Sequence, residues 1–205
     1  MTWAPDYATL AQVKTYIGET TTDHDADIAT AITAASRAID RATGRQFGQV
    51  ATAQARSYDG FFDRHRPRPA WVVHIDDLGD VTGLAVSYTD SAGVTTTITD
   101  YTLEPVNALV KGRVYGSLVV GPNAEAAPTS DYPQVDLTGL WGWPAIPATV
   151  LGAGRLQTAR FHARRDSPFG VAGSPSVGSE LRLLAKVDPD VAVMLADYVR
   201  RWGAV

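Results

Sequence analysis

The sequence contains no cysteine, which excludes thiol catalysis, disulfide cross-links and cysteine-bound zinc or iron–sulfur centres. No apolar run approaches the roughly 20 residues that a bilayer-spanning helix needs. The opening segment MTWAPDYATL lacks the basic and apolar stretches of a secretory leader, so a soluble, untargeted protein is expected. Neither sign of charge dominates: 18 Lys and Arg stand against 22 Asp and Glu, for a formal net charge of -4. Broad attraction to nucleic acid or to an anionic membrane is not expected from that balance, which leaves room only for a local basic patch. The motifs of several large enzyme classes are missing too: no GxGxxG dinucleotide loop, phosphate-binding P-loop, HExxH metal pair or GxSxG nucleophile elbow occurs.

What the chain does have is enough apolar material for a core. Its 205 residues are 45% hydrophobic and 20% charged, which excludes wholesale disorder and supports one domain or a core plus a lobe. Thr9 with Gln12 reads as a capping box, opening a short helix through Leu10, Val13 and Ile17 that Gly18 stops. Such a short helix must dock on another. The second helix has Thr22 or Asp23 as N-cap, Asp25 and Asp27 at its positive end, and Arg37, Arg41 and Gly44 at the other. Its apolar stripe is Ile28, Ala31, Ile32, Ala35, Ala38, Ile39 and Ala42, and the alanines invite close helix packing. A third helix starts near Pro147 and runs to about Arg165, with Val150, Ala153, Leu156, Ala159 and Ala163 inward and Gly152 and Gly154 as weak or tight-packing points. The last is capped by Asp188, has Pro189 in its first turn, and buries Val191, Met194, Leu195, Tyr198 and Trp202.

Between these helices the pattern changes to strands. Ala51 to Gly60 reads as a strand entering a turn, and Trp71 to Ile75 as a compact apolar strand. Leu84 to Ile98 reads as a hairpin turning at Asp90 to Gly93, and short strands are expected at Tyr101 to Leu103, Gly116 to Val120 and Val135 to Leu140. The expected fold is α+β, a small multi-helix bundle with an inserted β-rich lobe: residues 1–49 and 141–205 supply the helices, and 50–140 the insertion. Three loops stand out, at Phe61 to Pro69, Gly121 to Pro133 and Ser167 to Glu180.

Chemistry-bearing residues are sparse. His24, His65, His74 and His162 occur in a chain rich in aspartate, but His24 with Asp23, Asp25 and Asp27 spreads around a helix start and is read as capping and solvation. His74 lies beside Asp76 and Asp77 without a nucleophile or substrate motif, and is read as a turn or surface residue. Asp76, Asp77 and Asp80 bracket Leu78 and Gly79 as a turn, without the alternating ligand pattern of an EF-hand. No catalytic residue, cofactor or metal ligand is assigned, and the chain is read as not an enzyme. The basic loop of Arg64, Arg66 and Arg68 and the third-helix Arg155, Arg160, Arg164 and Arg165 read as a solvated face, ring contacts or phosphate contacts. Neither cluster is interleaved with aromatics that could stack bases. Trp141, Trp143, Phe169, Tyr198 and Trp202 are the candidate interface residues, with Gly139 to Pro144 as the best-formed aromatic segment.

The order of features resembles the head-to-tail connector or adaptor proteins of tailed bacteriophages, which form the ring beneath the portal. The resemblance is carried by TLAQVKTYIG, the following DADIATAITAASRAIDRATGRQFG, the middle segment YTLEPVNALVKGRVYGSLVV, GLWGWPAIPATV leading into a helix, and VDPDVAVMLADYVRRW near the C-terminus. It implies a non-enzymatic subunit of several helices with an inserted β element, forming a homo-oligomeric ring that matches the portal's symmetry. Such a ring binds the portal protein, extends the channel through which double-stranded DNA passes without specific contact, and presents a surface to a stopper or tail-completion protein at the virion's head-tail junction. The segment after Val187 would engage the portal; Arg64, Arg66, Arg68, Arg160, Arg164 and Arg165 would line the channel or ring contacts. A stopper or tail-completion protein, a DNA-binding accessory domain using the arginines, and a small hydrolase built on His74 are the competing readings.

Overall fold

The computed structural model describes residues 3–122, 124, 126–129, 131–164, 171–172, 181–182 and 188–200. The chain is α+β and rich in sheet. It divides into two units, one formed by Met1–Ala4 and Gln46–Ala145, the other by Pro5–Arg45 and Ile146–Val205.

The first unit is a curled antiparallel sheet of seven strands. These are β1 (Gln54–Asp63), β2 (Ala70–Leu78), β3 (Asp80–Thr89), β4 (Thr95–Thr97), β5 (Tyr101–Glu104), β6 (Tyr115–Val120) and β7 (Gln134–Leu140), in the spatial order β4-β3-β7-β1-β2-β6-β5. Strand β1 is shared: residues 54–59 pair with β7, whereas residues 60–63 pair with β2. The hand-over falls at Gly60, where a Cβ would crowd Pro133 O and Val73 Cγ2 at 3.2 Å. Val73, Ile75, Leu118, Val120, Val135, Leu137 and Trp141 fill the interior. The alternation of Gln134–Leu140, which puts Val135, Leu137 and Gly139 inside, is the period-two pattern of a strand with one buried face.

The hairpin expected at Asp90 to Gly93 is present. Asp90 Oδ1 accepts from the N–H groups of Ala92 and Val94, both at 2.9 Å, and Gly93 takes φ 76°. The turn expected at Asp76 to Asp80 is not: β2 runs through both aspartates to Leu78, and β3 begins at Asp80. Distant partners hold the carboxylates in extended backbone. Asp76 pairs with Arg56 at 2.6 Å and accepts from the Tyr58 hydroxyl, while Asp77 accepts from the Trp143 indole.

Residues 139–144 tie this sheet together. Gly142 N–H donates to Asp77 O at 2.7 Å, Gly79 N–H to Gly142 O at 2.9 Å, and Trp143 N–H to Gly48 O at 2.8 Å. Gly142 has φ 104°, and a Cβ there would lie 1.9 Å from Gly48 O, so no other residue fits.

The second unit holds α1 (Leu10–Ile17), α2 (Asp25–Thr43), α3 (Ala148–Ala163) and α4 (Pro189–Leu195), with a two-residue strand pair β8 (Val171–Ala172) and β9 (Leu181–Arg182). Thr9 and Gln12 form the expected capping box, worth about 1 kcal/mol, and Gly18 closes α1 at φ 75°. Helix α2 starts at His24 rather than Thr22 or Asp23, with no side-chain cap; Lys14 instead pulls the connection in, reaching Thr21 O and Asp25 Oδ1, each at 2.5 Å.

The buried face of α2 is Ile28, Ala31, Ile32, Ala35, Ser36, Ile39 and Thr43. Ser36 and Thr43 replace the expected Ala38 and Ala42 because their hydroxyls bond back to Ile32 O and Ile39 O, and Ser36 Oγ also accepts from Tyr7 N–H at 2.9 Å. In α3 the inward residues are Val150, Ala153, Gly154, Gln157 and Thr158. Gly154 lies so close to Tyr7 that a Cβ would come within 2.9 Å of its backbone oxygen.

Asp188 caps α4, accepting from Asp190 N–H at 2.9 Å, with Pro189 in the first turn as expected. The helix ends earlier than its pattern suggests, passing at Ala196–Tyr198 into a 3-10 turn. The chain then turns extended, and Arg200 N–H donates to Thr43 O at 2.7 Å while Arg45 Nε donates to Tyr198 O at 2.7 Å. The first of these bonds satisfies a carbonyl at the end of α2 that has no helical partner.

Candidate assembly interface

The basic loop between β1 and β2 carries Arg64 and Arg68 on its exposed side, with Pro67 and Pro69 restricting the backbone between strands. Arg66 turns the other way and forms an ion pair with Glu104 at the end of β5. Beside the pair lies an open groove of about 460 Å³, lined by Arg68, Pro69, Asp100, Tyr101, Val119 and Pro122 among others. Two cations and two carboxylates border it, so its charge is balanced.

Trp141 and Trp143 are not surface anchors. Trp141 is fully buried, donates its indole N–H to Gln54 O at 2.8 Å and packs on Tyr58; Trp143 is 5% exposed and packs on Phe47. Both rings are spent on the sheet unit's own core, which leaves no indole face for a neighbour. Arg56, which the sequence does not single out, lies between Trp141 and Trp3, its guanidinium 4.9 Å and 5.4 Å from their rings. Nearby, burial and the Asp76 carboxylate push the Tyr58 hydroxyl well above its ordinary pKa of 10.

Among the helical residues, Arg160 pairs with Asp188 at 2.6 Å, joining the last turn of α3 to the start of α4. Arg164 is half-buried at the end of α3, and Tyr198 is half-buried in its 3-10 turn. Arg165, Phe169 and Trp202 lie outside the described residues.

His74 is exposed on β2, with Nδ1 at 3.0 Å from Ser117 Oγ and its ring against Phe61, while the carboxylates of Asp76 and Asp77 serve Arg56 and Trp143. His24 and His162, far apart in sequence, bring their rings to 6.1 Å. Among the described residues no three His, Asp or Glu side chains converge as a metal site would require. Among them also, no helix is long and apolar enough to cross a membrane.

The sequence reading missed the loop between β5 and β6. It exposes Val106, Leu109 and Val110, the last of them 89% exposed. The sequence reading ends one strand at Leu103 and starts the next at Gly116, without assigning the segment between them a role.

The fold has a counterpart. A chain in the neck of an empty GTA (gene transfer agent) particle, computed with C6 symmetry, matches with a TM-score of 0.52 and 18% identity, over 99% of this chain and 96% of that one. A chain in the neck of the native GTA particle, computed with C12 symmetry, matches with a TM-score of 0.44 and 18% identity, over 99% of this chain and 98% of that one. No protein-family model and no curated protein matches the sequence. The chain thus shares its α+β fold, end to end, with a chain of a particle neck.

Proposed function

We propose that this chain is a structural subunit of a phage-type head-to-tail neck: an adaptor that assembles as a ring beneath the portal, extends the DNA channel and receives a stopper or tail-completion protein. The observation that carries the reading is the likeness to a particle-neck chain over 99% of this chain's length, without large unmatched segments on either side. The C6 symmetry of that neck favours a cyclic array of copies for this chain as well.

The work of such a subunit is done by fit and not by bond-making, so it needs no nucleophile, cofactor or metal. A channel wall must also pass DNA without gripping it. A net charge of -4, with Arg66 and Arg160 neutralised by Glu104 and Asp188, suits a wall that touches phosphates lightly. The segment after Val187 is assigned to the portal contact, and the exposed Arg64 and Arg68 to the channel or to ring contacts.

Electron microscopy of particles assembled with and without this protein tests the reading. Without it, DNA-filled heads should carry no ring directly below the portal and no tail. Normally tailed particles would contradict it.

A further inference from the structure

The loop from Pro105 to Arg113, between β5 and β6, combines apolar exposure with a fixed shape. Val110 is 89% exposed, Val106 58% and Leu109 39%, while Ala108 at the centre is fully buried. Ala108 N–H donates to Pro105 O at 3.0 Å, Gly112 N–H to Leu109 O at 3.1 Å, and Arg113 N–H to Ala108 O at 2.9 Å. A tip already held in one conformation gives up little entropy on docking. Exposed Lys111 and Arg113 flank the apolar side chains, so the matching surface should be apolar with carboxylates around it.

The same chain offers such a surface in its helical unit. Tyr16, on the last turn of α1, is 53% exposed. Glu19, half-buried, and the exposed Asp23 and Asp27 follow it along the connection into α2. That connection is also held in shape: the Glu19 carboxylate accepts from Thr21 N–H and Oγ–H at 2.8 Å and 2.7 Å.

We infer that the β5–β6 loop of one copy docks on the α1–α2 connection of the next copy, its valines against Tyr16 and its two cations against Glu19, Asp23 and Asp27. This rests on the ring reading above and names the two surfaces of the subunit contact. Because the surfaces differ, the contact is head-to-tail, the type that closes into rings.

The absence of native cysteine makes introduced thiols unique. In full-length protein assembled into particles, Val110→Cys combined with Tyr16→Cys should give, on oxidation, a ladder of disulfide-linked multimers, whereas either variant alone should give at most dimers. Lys111→Glu with Arg113→Glu should lower incorporation about tenfold, because it sets carboxylates against Glu19, Asp23 and Asp27. Adding Asp23→Lys, which leaves the Glu19 bonds to Thr21 intact, should restore part of it. Circular dichroism of each variant checks that it folds.

If microscopy shows the ring intact while the double-cysteine protein gives no ladder, or only an internally closed monomer, the contact is wrong and the ring reading stands. Wild-type incorporation of the charge-reversed loop, or its cross-linking to a different neck protein, overturns the contact as well. If no ring forms from wild-type protein, both fall.

Discussion

The indole N–H of Trp143 donates to the carboxylate of Asp77 at 2.9 Å, across 66 residues of sequence and shielded from solvent. With the backbone bonds from Gly142 to Asp77 and from Trp143 to Gly48, it fastens residues 139–144 to the end of β2. Replacing Trp143 by Phe keeps the packing on Phe47 but removes a hydrogen bond to a buried carboxylate, and should cost about 1.5–3 kcal/mol in urea unfolding. Asp77→Asn keeps an acceptor and should cost less than about 1 kcal/mol, while Asp77→Leu should approach the cost of Trp143→Phe. Equal losses in all three would show that the bond contributes nothing beyond packing.

Glycines in this unit sort into two kinds. Gly142 has a positive φ and no room, since a Cβ would sit 1.9 Å from Gly48 O, and Gly79 would meet Pro144 Cδ at 2.4 Å. Gly93 has a positive φ but open space around it. Gly142→Ala and Gly79→Ala should each cost more than about 3 kcal/mol or leave the protein insoluble, whereas Gly93→Ala should cost about 1 kcal/mol. Soluble expression and thermal unfolding of the three variants check the ranking.

In α3 the two glycines also differ. A Cβ at Gly154 would meet the backbone of Tyr7 at 2.9 Å, which cannot yield; one at Gly152 would meet only the flexible end of Met194, also at 2.9 Å. Gly154→Ala should therefore destabilise by about 1–3 kcal/mol. Gly152→Ala should be near neutral, because alanine's better helix propensity, up to about 1 kcal/mol, offsets the small shift of Met194.

Much of the local structure was legible in the chain. The Thr9 and Gln12 box, the stop at Gly18, the Asp90 turn and the Asp188–Pro189 helix start are decided by neighbouring residues, and each forms as its spacing implies. Features decided by distant partners were not. Asp76 and Asp77 look like turn residues until Arg56, Tyr58 and Trp143 reach them, and Trp141 and Trp143 look like surface anchors until the curled sheet closes over them. The candidate interface divides the same way. Exposure of Arg64 and Arg68 follows from a proline-rich loop, but the pairing of Arg66 with Glu104 needs β5 brought beside the β1–β2 loop, and the valine tip appears only when β5 and β6 pair.

One carboxyl gives the helical unit a pH dependence with a definite sign. Burial raises Asp40 above its ordinary 3.8, against the opposing pull of the Tyr7 hydroxyl, which donates to it, and of Arg37, at 3.1 Å. A carboxyl with a raised folded-state pKa binds its proton more tightly when folded, so its contribution favours folding at low pH and is lost as pH rises above 3.8. Asp40→Asn removes that titration. Its stability relative to wild type should grow as pH rises through that window, measured by chemical denaturation at a series of pH values; a constant difference would contradict the assignment.

Cryo-electron microscopy of the head-tail junction in particles carrying this protein is the most direct test of its role. The account predicts a cyclic ring of copies directly beneath the portal, with the sheet and helices of each copy traceable in the density. A junction whose rings are all built from other chains would contradict it.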